Sequence, residues 1–237
     1  MVGLGTIINT LAIILGGLGG LLFGRFLKES VQDALCKACG VSTLFLGITG
    51  ALEGMLTVEG TGVVSGGTML VIGCIALGSL IGALLNLEDG MERFGQWLKI
   101  KTGNARDTRF VDAFVTASLT VCIGAMAIVG SIQDGIKGDY SILAAKAVLD
   151  FIIIMVMTCS MGKGCIFSAI PVAIFQGSIT ALAGLIKPLM TDAALSNLSM
   201  IGSILIFCVG VNLVWGKKLQ VANMLPAVVL AVAAAFL

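Results

Sequence analysis

Asp150 and Lys146 stand four residues apart in 141–161, a stretch otherwise built from apolar and small side chains. If that stretch is helical, the two share a face and can pair. Asp150 is nine residues from its start, about 13 Å at roughly 1.5 Å per residue, near the middle of a bilayer core of about 30 Å. An ionisable group at that depth costs about 2.5–3.5 kcal/mol on insertion scales, which makes it a functional candidate. Asp150 would bind a cation, take up a proton or contact a polar solute. The competing reading is structural, with the two charges neutralising one another and fixing helix packing. Lys146 has in addition a stem long enough to reach outward toward the headgroups.

The next apolar stretch supplies company. Pro171 removes an intrahelical hydrogen bond and frees the carbonyl of Phe167. Gln176 lies about twelve residues in from Gly164, again near mid-depth, and Ser168, Gly177 and Ser178 add small polar surface. A kinked helix with freed carbonyls can ligate an ion or solute, or it can be a packing kink satisfied by its neighbours. Glu53 falls near the outer end of an earlier stretch, where it reaches water. Asn9 and Asn212 are uncharged amides of the kind that join helices in lipid. The residues predicted to bind substrate or ion are therefore Asp150, Lys146, Gln176, Ser168, Pro171, Glu53 and Asn9.

Other chemistry is poorly provided for. Histidine is absent, which excludes zinc sites of the usual His-containing kinds and imidazole acid–base catalysis. Cys36 and Cys39 form one isolated C-x-x-C, weak support for metal or redox work. Cys74, Cys122, Cys159 and Cys208 fall in apolar stretches and read as small hydrophobes. The Gly-rich turn 160–164 contains Lys163 but has no phosphate-loop pattern, so Lys163 reads as a topology determinant. No H-E-x-x-H, G-x-S-x-G or intramembrane aspartate pair occurs. The chain is expected not to be an enzyme and to need no cofactor or metal.

The elements that position these residues follow from composition. Of 237 residues, 58% are hydrophobic and 11% charged, and the mean hydropathy is +1.10. Soluble domains carry about 25% charged residues. A soluble enzyme, a disordered tail and a nucleic-acid binder are all disfavoured, and 1–237 reads as a single polytopic all-α membrane domain. Charges divide it into eight apolar segments, near 3–24, 38–57, 64–87, 111–132, 141–161, 164–186, 195–215 and 222–237. Each is about long enough to cross a bilayer as a helix, the second and eighth least clearly. The first has no basic region before it and reads as a retained span.

Eleven of the 14 Lys and Arg residues fall in odd-numbered connections, two (Lys137 and Lys187) in even-numbered ones, and Lys146 inside a span. The odd connections are thus predicted to be cytoplasmic and both termini outside. In the largest inside loop, 88–110, Met91, Phe94, Trp97 and Leu98 recur at helical spacing and predict a short interfacial helix. Leu27–Cys36 is expected to do the same after the first span.

At an offset of 62 residues, the first and third segments share Gly5/Gly67, Thr6/Thr68, Ile13/Ile75, Leu15/Leu77, Gly16/Gly78, Leu18/Leu80, Gly20/Gly82 and Leu22/Leu84. Thr43-x-x-x-Gly47 and Thr120-x-x-x-Gly124 follow in the second and fourth. Hairpins 3–57 and 64–132 therefore read as an internal repeat, or as shared helix-packing glycines. Glycines on several spans also lead us to expect close homo-oligomeric contacts.

The run Gly5–Asn9, the glycines of Leu15–Gly20 and the whole layout resemble a family of bacterial integral membrane proteins, a domain of unknown function that includes YqgA- and YdfK-like members. The resemblance implies a bacterial inner-membrane protein and brings no functional residues with it. With the bilayer and a small solute or ion as its partners, and no nucleic acid, the expected function is transport or passive flow, with ion-coupled alternating access leading. The alternative is a scaffold or sensor that binds a partner through loop 88–110.

Overall fold

The structure is a computed structural model and describes residues 2–60 and 62–236. Leu237, the last residue of the eighth predicted segment, lies outside the described residues. The chain forms twelve α-helices among these residues: α1 (Leu4–Gly24), α2 (Glu29–Met55), α3 (Thr68–Leu84), α4 (Leu87–Lys101), α5 (Phe110–Cys122), α6 (Ala125–Lys137), α7 (Ser141–Met161), α8 (Ala169–Ala181), α9 (Ala183–Ile186), α10 (Asp192–Trp215), α11 (Val221–Met224) and α12 (Pro226–Ala233). The architecture is that of an all-α membrane protein. Five helices or helical stretches are long and apolar enough to cross a bilayer, and seven if each of two bent pairs is one span. The segment Val221–Phe236 is shorter.

Two compact units contain these elements: the chain up to Cys39 with Gly90–Lys187, and Gly40–Asp89 with Pro188 onward. In the first, α1 lies along α7. A Cβ on Gly16 would collide with the Phe151 carbonyl oxygen, and one on Gly20 with that of Met155. Absent side chains let the two backbones meet, the usual device where lipid gives no hydrophobic drive to association. Gly5 meets Leu143 and Gly24 meets Cys159. Both sets of numbers rise together, so α1 and α7 are parallel. Phe110, Phe114, Ile13, Leu143, Ile154 and Met157 are the largest apolar side chains fully enclosed here.

In the second unit Gly40, Gly47, Gly50 and Gly54 of α2 meet Leu213, Phe207, Ser203 and Met200 of α10, so these helices are antiparallel. Gly78 and Gly82 of α3 meet the backbones of Ala227 and Asn223, again antiparallel. The apolar centre is Cys74, Ile201, Ala227 and Ala231. All three directions are those of segments that alternate up and down. The matched glycines Gly16/Gly78 and Gly20/Gly82 thus make the same kind of contact against partners of opposite direction.

Several local expectations are corrected. The stretch 27–36 is not a separate interfacial helix, because α2 begins at Glu29 and runs unbroken for 27 residues. The link after it is an antiparallel hairpin, Leu56–Glu59 with Gly62–Ser65, registered Leu56 to Ser65. The fourth segment is broken: Ile123 is extended, Gly124 takes φ +153°, and α5 and the helix after it diverge by 62°. Gly124 therefore precedes α6 as its N-cap, after α5 has ended at Cys122, whereas its sequence counterpart Gly47 packs inside a helix. The helix expected in loop 88–110 is α4, which begins after Asn86 turns left-handed at φ 51°.

Candidate functional site

Four helices of the first unit each bring one pair of polar residues, three or four apart, into its interior. They are Thr6 and Asn9 on α1, Ser131 and Asp134 on α6, Lys146 and Asp150 on α7, and Gln176 and Thr180 on α8. Spacing of three or four places each pair on one helix face. On α1 that face is continuous with Gly16 and Gly20, so the glycine contact with α7 also brings Asn9 opposite Asp150.

The predicted pair forms. Lys146 Nζ donates to Asp150 Oδ1 at 2.8 Å and Oδ2 at 2.7 Å. The Asn9 amide nitrogen donates to Asp150 Oδ2 at 3.0 Å from the neighbouring helix. Asp150 is 3% exposed and Lys146 8%, so Lys146 does not reach outward. With three hydrogen bonds from two donor groups the Asp150 carboxylate is well supplied, and a buried pair holds only when such extra hydrogen bonds satisfy it.

The residues around it are less satisfied. Gln176 is 1% exposed and neither amide atom has a partner; Asn9 Oδ1, Ser131 Oγ and Asp134 Oδ1 are also buried without one. Buried polar atoms are nearly always paired, so such a concentration is unusual. The Thr6 and Thr180 hydroxyls are 3.5 Å apart. Asp134 Oδ2 accepts from the Gly5 backbone N–H at 3.0 Å, at the start of α1.

Three predicted site residues fall elsewhere. Pro171 sits in the first turn of α8, after a 3-10 turn at Lys163–Ser168, where a missing N–H costs little. Its ring joins Phe175, Ile179, Met91 and Phe94 around an apolar hollow. Ser168 is buried but donates to the Cys165 carbonyl at 2.7 Å, which satisfies it locally. Glu53 is exposed on α2, in the second unit. Sequence reasoning missed Thr6, Ser131, Asp134 and Thr180. It ended the fourth segment at 132 and left Asp134 in an outer connection, although Ser131-x-x-Asp134 carries the same face signal as Lys146-x-x-x-Asp150.

Other polar groups hold structure. In the second unit Glu88 is 4% exposed. Its Oε2 accepts from the Ala222 N–H at 3.0 Å, its own N–H donates to Asn223 Oδ1 at 2.9 Å, and Lys217 Nζ lies 3.0 Å from Oε1. Asn212 ties the turn after α10, with Oδ1 accepting from the Lys218 and Leu219 N–H groups. Lys163, Arg25 and Arg109 line a cleft of about 380 Å³ in the first unit, together with Asp107. Among the described residues no three or more His, Cys, Asp or Glu side chains come together as metal ligands.

Residues 4–236 match the family described as "Protein of unknown function (DUF554)". The chain is 30% identical over 227 residues to the "Uncharacterized membrane protein YdfK" of Bacillus subtilis (strain 168), covering 95% of this chain and 93% of that protein. It is 30% identical over 232 residues to the "Uncharacterized protein YqgA" of Escherichia coli (strain K12), covering 96% and 94%. No solved structure matches it. Similarity along nearly the whole chain makes this protein a member of the DUF554 family.

Proposed function

We propose that this protein carries a small polar solute or ion across the bacterial inner membrane, with both termini outside, by ion-coupled alternating access. The observation that carries the reading is the interior of the first unit, where four helices converge buried polar pairs and five side-chain atoms there lack partners. A protein that served only as a scaffold would gain by replacing them with apolar side chains, because unpaired polar atoms in a dry interior cost about 1–3 kcal/mol each. The helix broken at Gly124 adds support, since discontinuous helices are how transporters place backbone groups at mid-depth. In this reading Asp150 and Lys146 form an electroneutral gate, and Asn9 and Gln176 contact the solute.

The scaffold alternative is weakened by α4. Its Phe94 packs on Phe114 with ring centroids 5.7 Å apart, and Leu98 is buried, so that part of its apolar side is already covered within the first unit. The test is flux in proteoliposomes, read as current or uptake across a panel of alkali cations, amino acids and small organic acids. Wild-type protein is expected to pass at least one of them and Asp150→Asn to pass none while eluting as a folded protein. Equal flux through both would remove Asp150 from the mechanism, and no flux through either would favour the scaffold.

A further inference from the structure

Asp134 is a second buried carboxylate with a different environment from Asp150. It is fully enclosed, at 0% exposure. One oxygen, Oδ2, accepts from the Gly5 N–H at 3.0 Å; the other, Oδ1, has no partner. Asp134 takes no part in the ion pairs Lys37–Asp33, Lys146–Asp150 and Lys217–Glu88 found among the described residues. One turn earlier on the same face of α6, Ser131 is equally enclosed and its hydroxyl is also unpartnered.

The elements packed on α6 are α1, α7, α8 and α9. Only α7 carries charge, in Lys146 and Asp150, and those two are bonded to each other. On α6 itself Lys137 is exposed. Together, Lys146, Asp150 and Asp134 leave one negative charge uncompensated in the interior. A buried carboxylate without a counter-charge is far too costly to persist. The partial positive charge of the α1 N-terminus meets Oδ2 and offsets only part of it.

We propose that Asp134, with Ser131, forms a monovalent-cation site that is filled by a proton or an alkali ion. Asp134 Oδ1 supplies the charge, and the Ser131 hydroxyl supplies a neutral oxygen. This assignment is a property of the site, and its test needs no flux.

Dicyclohexylcarbodiimide modifies carboxyl groups that are protonated in apolar surroundings. Purified full-length protein in detergent is treated with it between about pH 5 and pH 8, in choline, sodium, lithium or potassium chloride at about 100 mM, and the modified peptide is located by mass spectrometry. In parallel the thermal midpoint is read in the same salts, because an ion that binds only the folded state raises it. Modification at Asp134, absent from Asp134→Asn and unaffected by the choice of salt, identifies the proton. Modification slowed about fivefold or more by one alkali salt, or a midpoint raised by that salt in wild type and not in Asp134→Asn, identifies the alkali ion. No modification at Asp134 and no salt-specific midpoint shift would mean that it only caps α1, and would overturn the proposal. That failure would leave the Asp150→Asn flux test standing, so the two readings fall separately.

Discussion

Asn9 and Asp150 lie on different helices and meet through a hydrogen bond of 3.0 Å, amide nitrogen to carboxylate oxygen. Parallel packing of α1 on α7, fixed by Gly16 and Gly20, makes that meeting occur. The charged pair on α7 is thus held from outside its own helix. Replacing Asn9 by Ala removes one donor from a buried carboxylate, and the loss should be about 1–3 kcal/mol, read as lower unfolding stability in detergent.

The charge pair itself separates structural from functional roles. Lys146→Met alone leaves Asp150 buried without its cation and should cost about 3–5 kcal/mol. Lys146→Met with Asp150→Leu removes both charges and should recover most of that stability. If Asp150 acts in transport, the double variant is stable and carries no flux. A stable double variant with wild-type flux would reduce the pair to packing.

Close backbone contact predicts sharp intolerance at two matched positions. A methyl group added at Gly20 meets the Met155 carbonyl, and one at Gly82 meets that of Asn223. Neither obstacle is a movable side-chain end. Gly20→Ala and Gly82→Ala should each lower stability by about 1–3 kcal/mol, the usual cost of overpacking. Gly73, whose Cβ would meet nothing within 4 Å, is the control and should tolerate Ala without loss.

Glu88 joins the start of α4 to the start of α11. Glu88→Ala leaves the enclosed Ala222 N–H without its acceptor, at a cost of about 1–3 kcal/mol. Lys217→Ala should cost less, because that ammonium is partly exposed and its attraction is screened by water. Thermal unfolding of the two variants side by side tests the order, and a larger loss for Lys217→Ala would contradict it.

Asp139, between α6 and α7, accepts from the Ser141 N–H at 3.0 Å, and hydrogen bonds from Ser141 hold its carboxyl below the usual carboxylate range. A lowered value in the folded state means stability that is present above the unfolded value of about 3.9 and lost as pH falls through the folded one. Wild type and Asp139→Ala should therefore differ in thermal midpoint at neutral pH and converge in acid. A difference that persists in strong acid would show that the hydrogen bond is not the cause.

Part of this was legible in the sequence. Lys146 and Asp150 are four apart in apolar surroundings, and that spacing alone gives their pairing. The apolar side of α4 shows in Phe94 and Leu98. The break at Gly124 does not show, because Thr120-x-x-x-Gly124 has the same local pattern as the unbroken Thr43-x-x-x-Gly47. Glycine permits both a close helix contact and φ +153°, and only the neighbours decide which is used. The place of Pro171 near the start of α8 was not legible, because helix starts are poorly marked in a run with few polar residues. Asp134 was hidden by the reasonable rule that a span ends where charge begins. The rule fails where a carboxylate folds inward against the start of another helix.

The outward side of α1 is made of Ile7, Leu11, Leu15, Leu18 and Leu22, all exposed in the isolated chain. Any greasy side chain of similar bulk serves there, so those sites are free to drift over evolutionary time. The inward side admits no such exchange, since a single extra carbon at Gly16 or Gly20 is already too thick. What makes this helix itself rather than any other oily rod is therefore carried by its smallest residues, and a catalogue of viable substitutions should show a tolerant coat over an unforgiving seam.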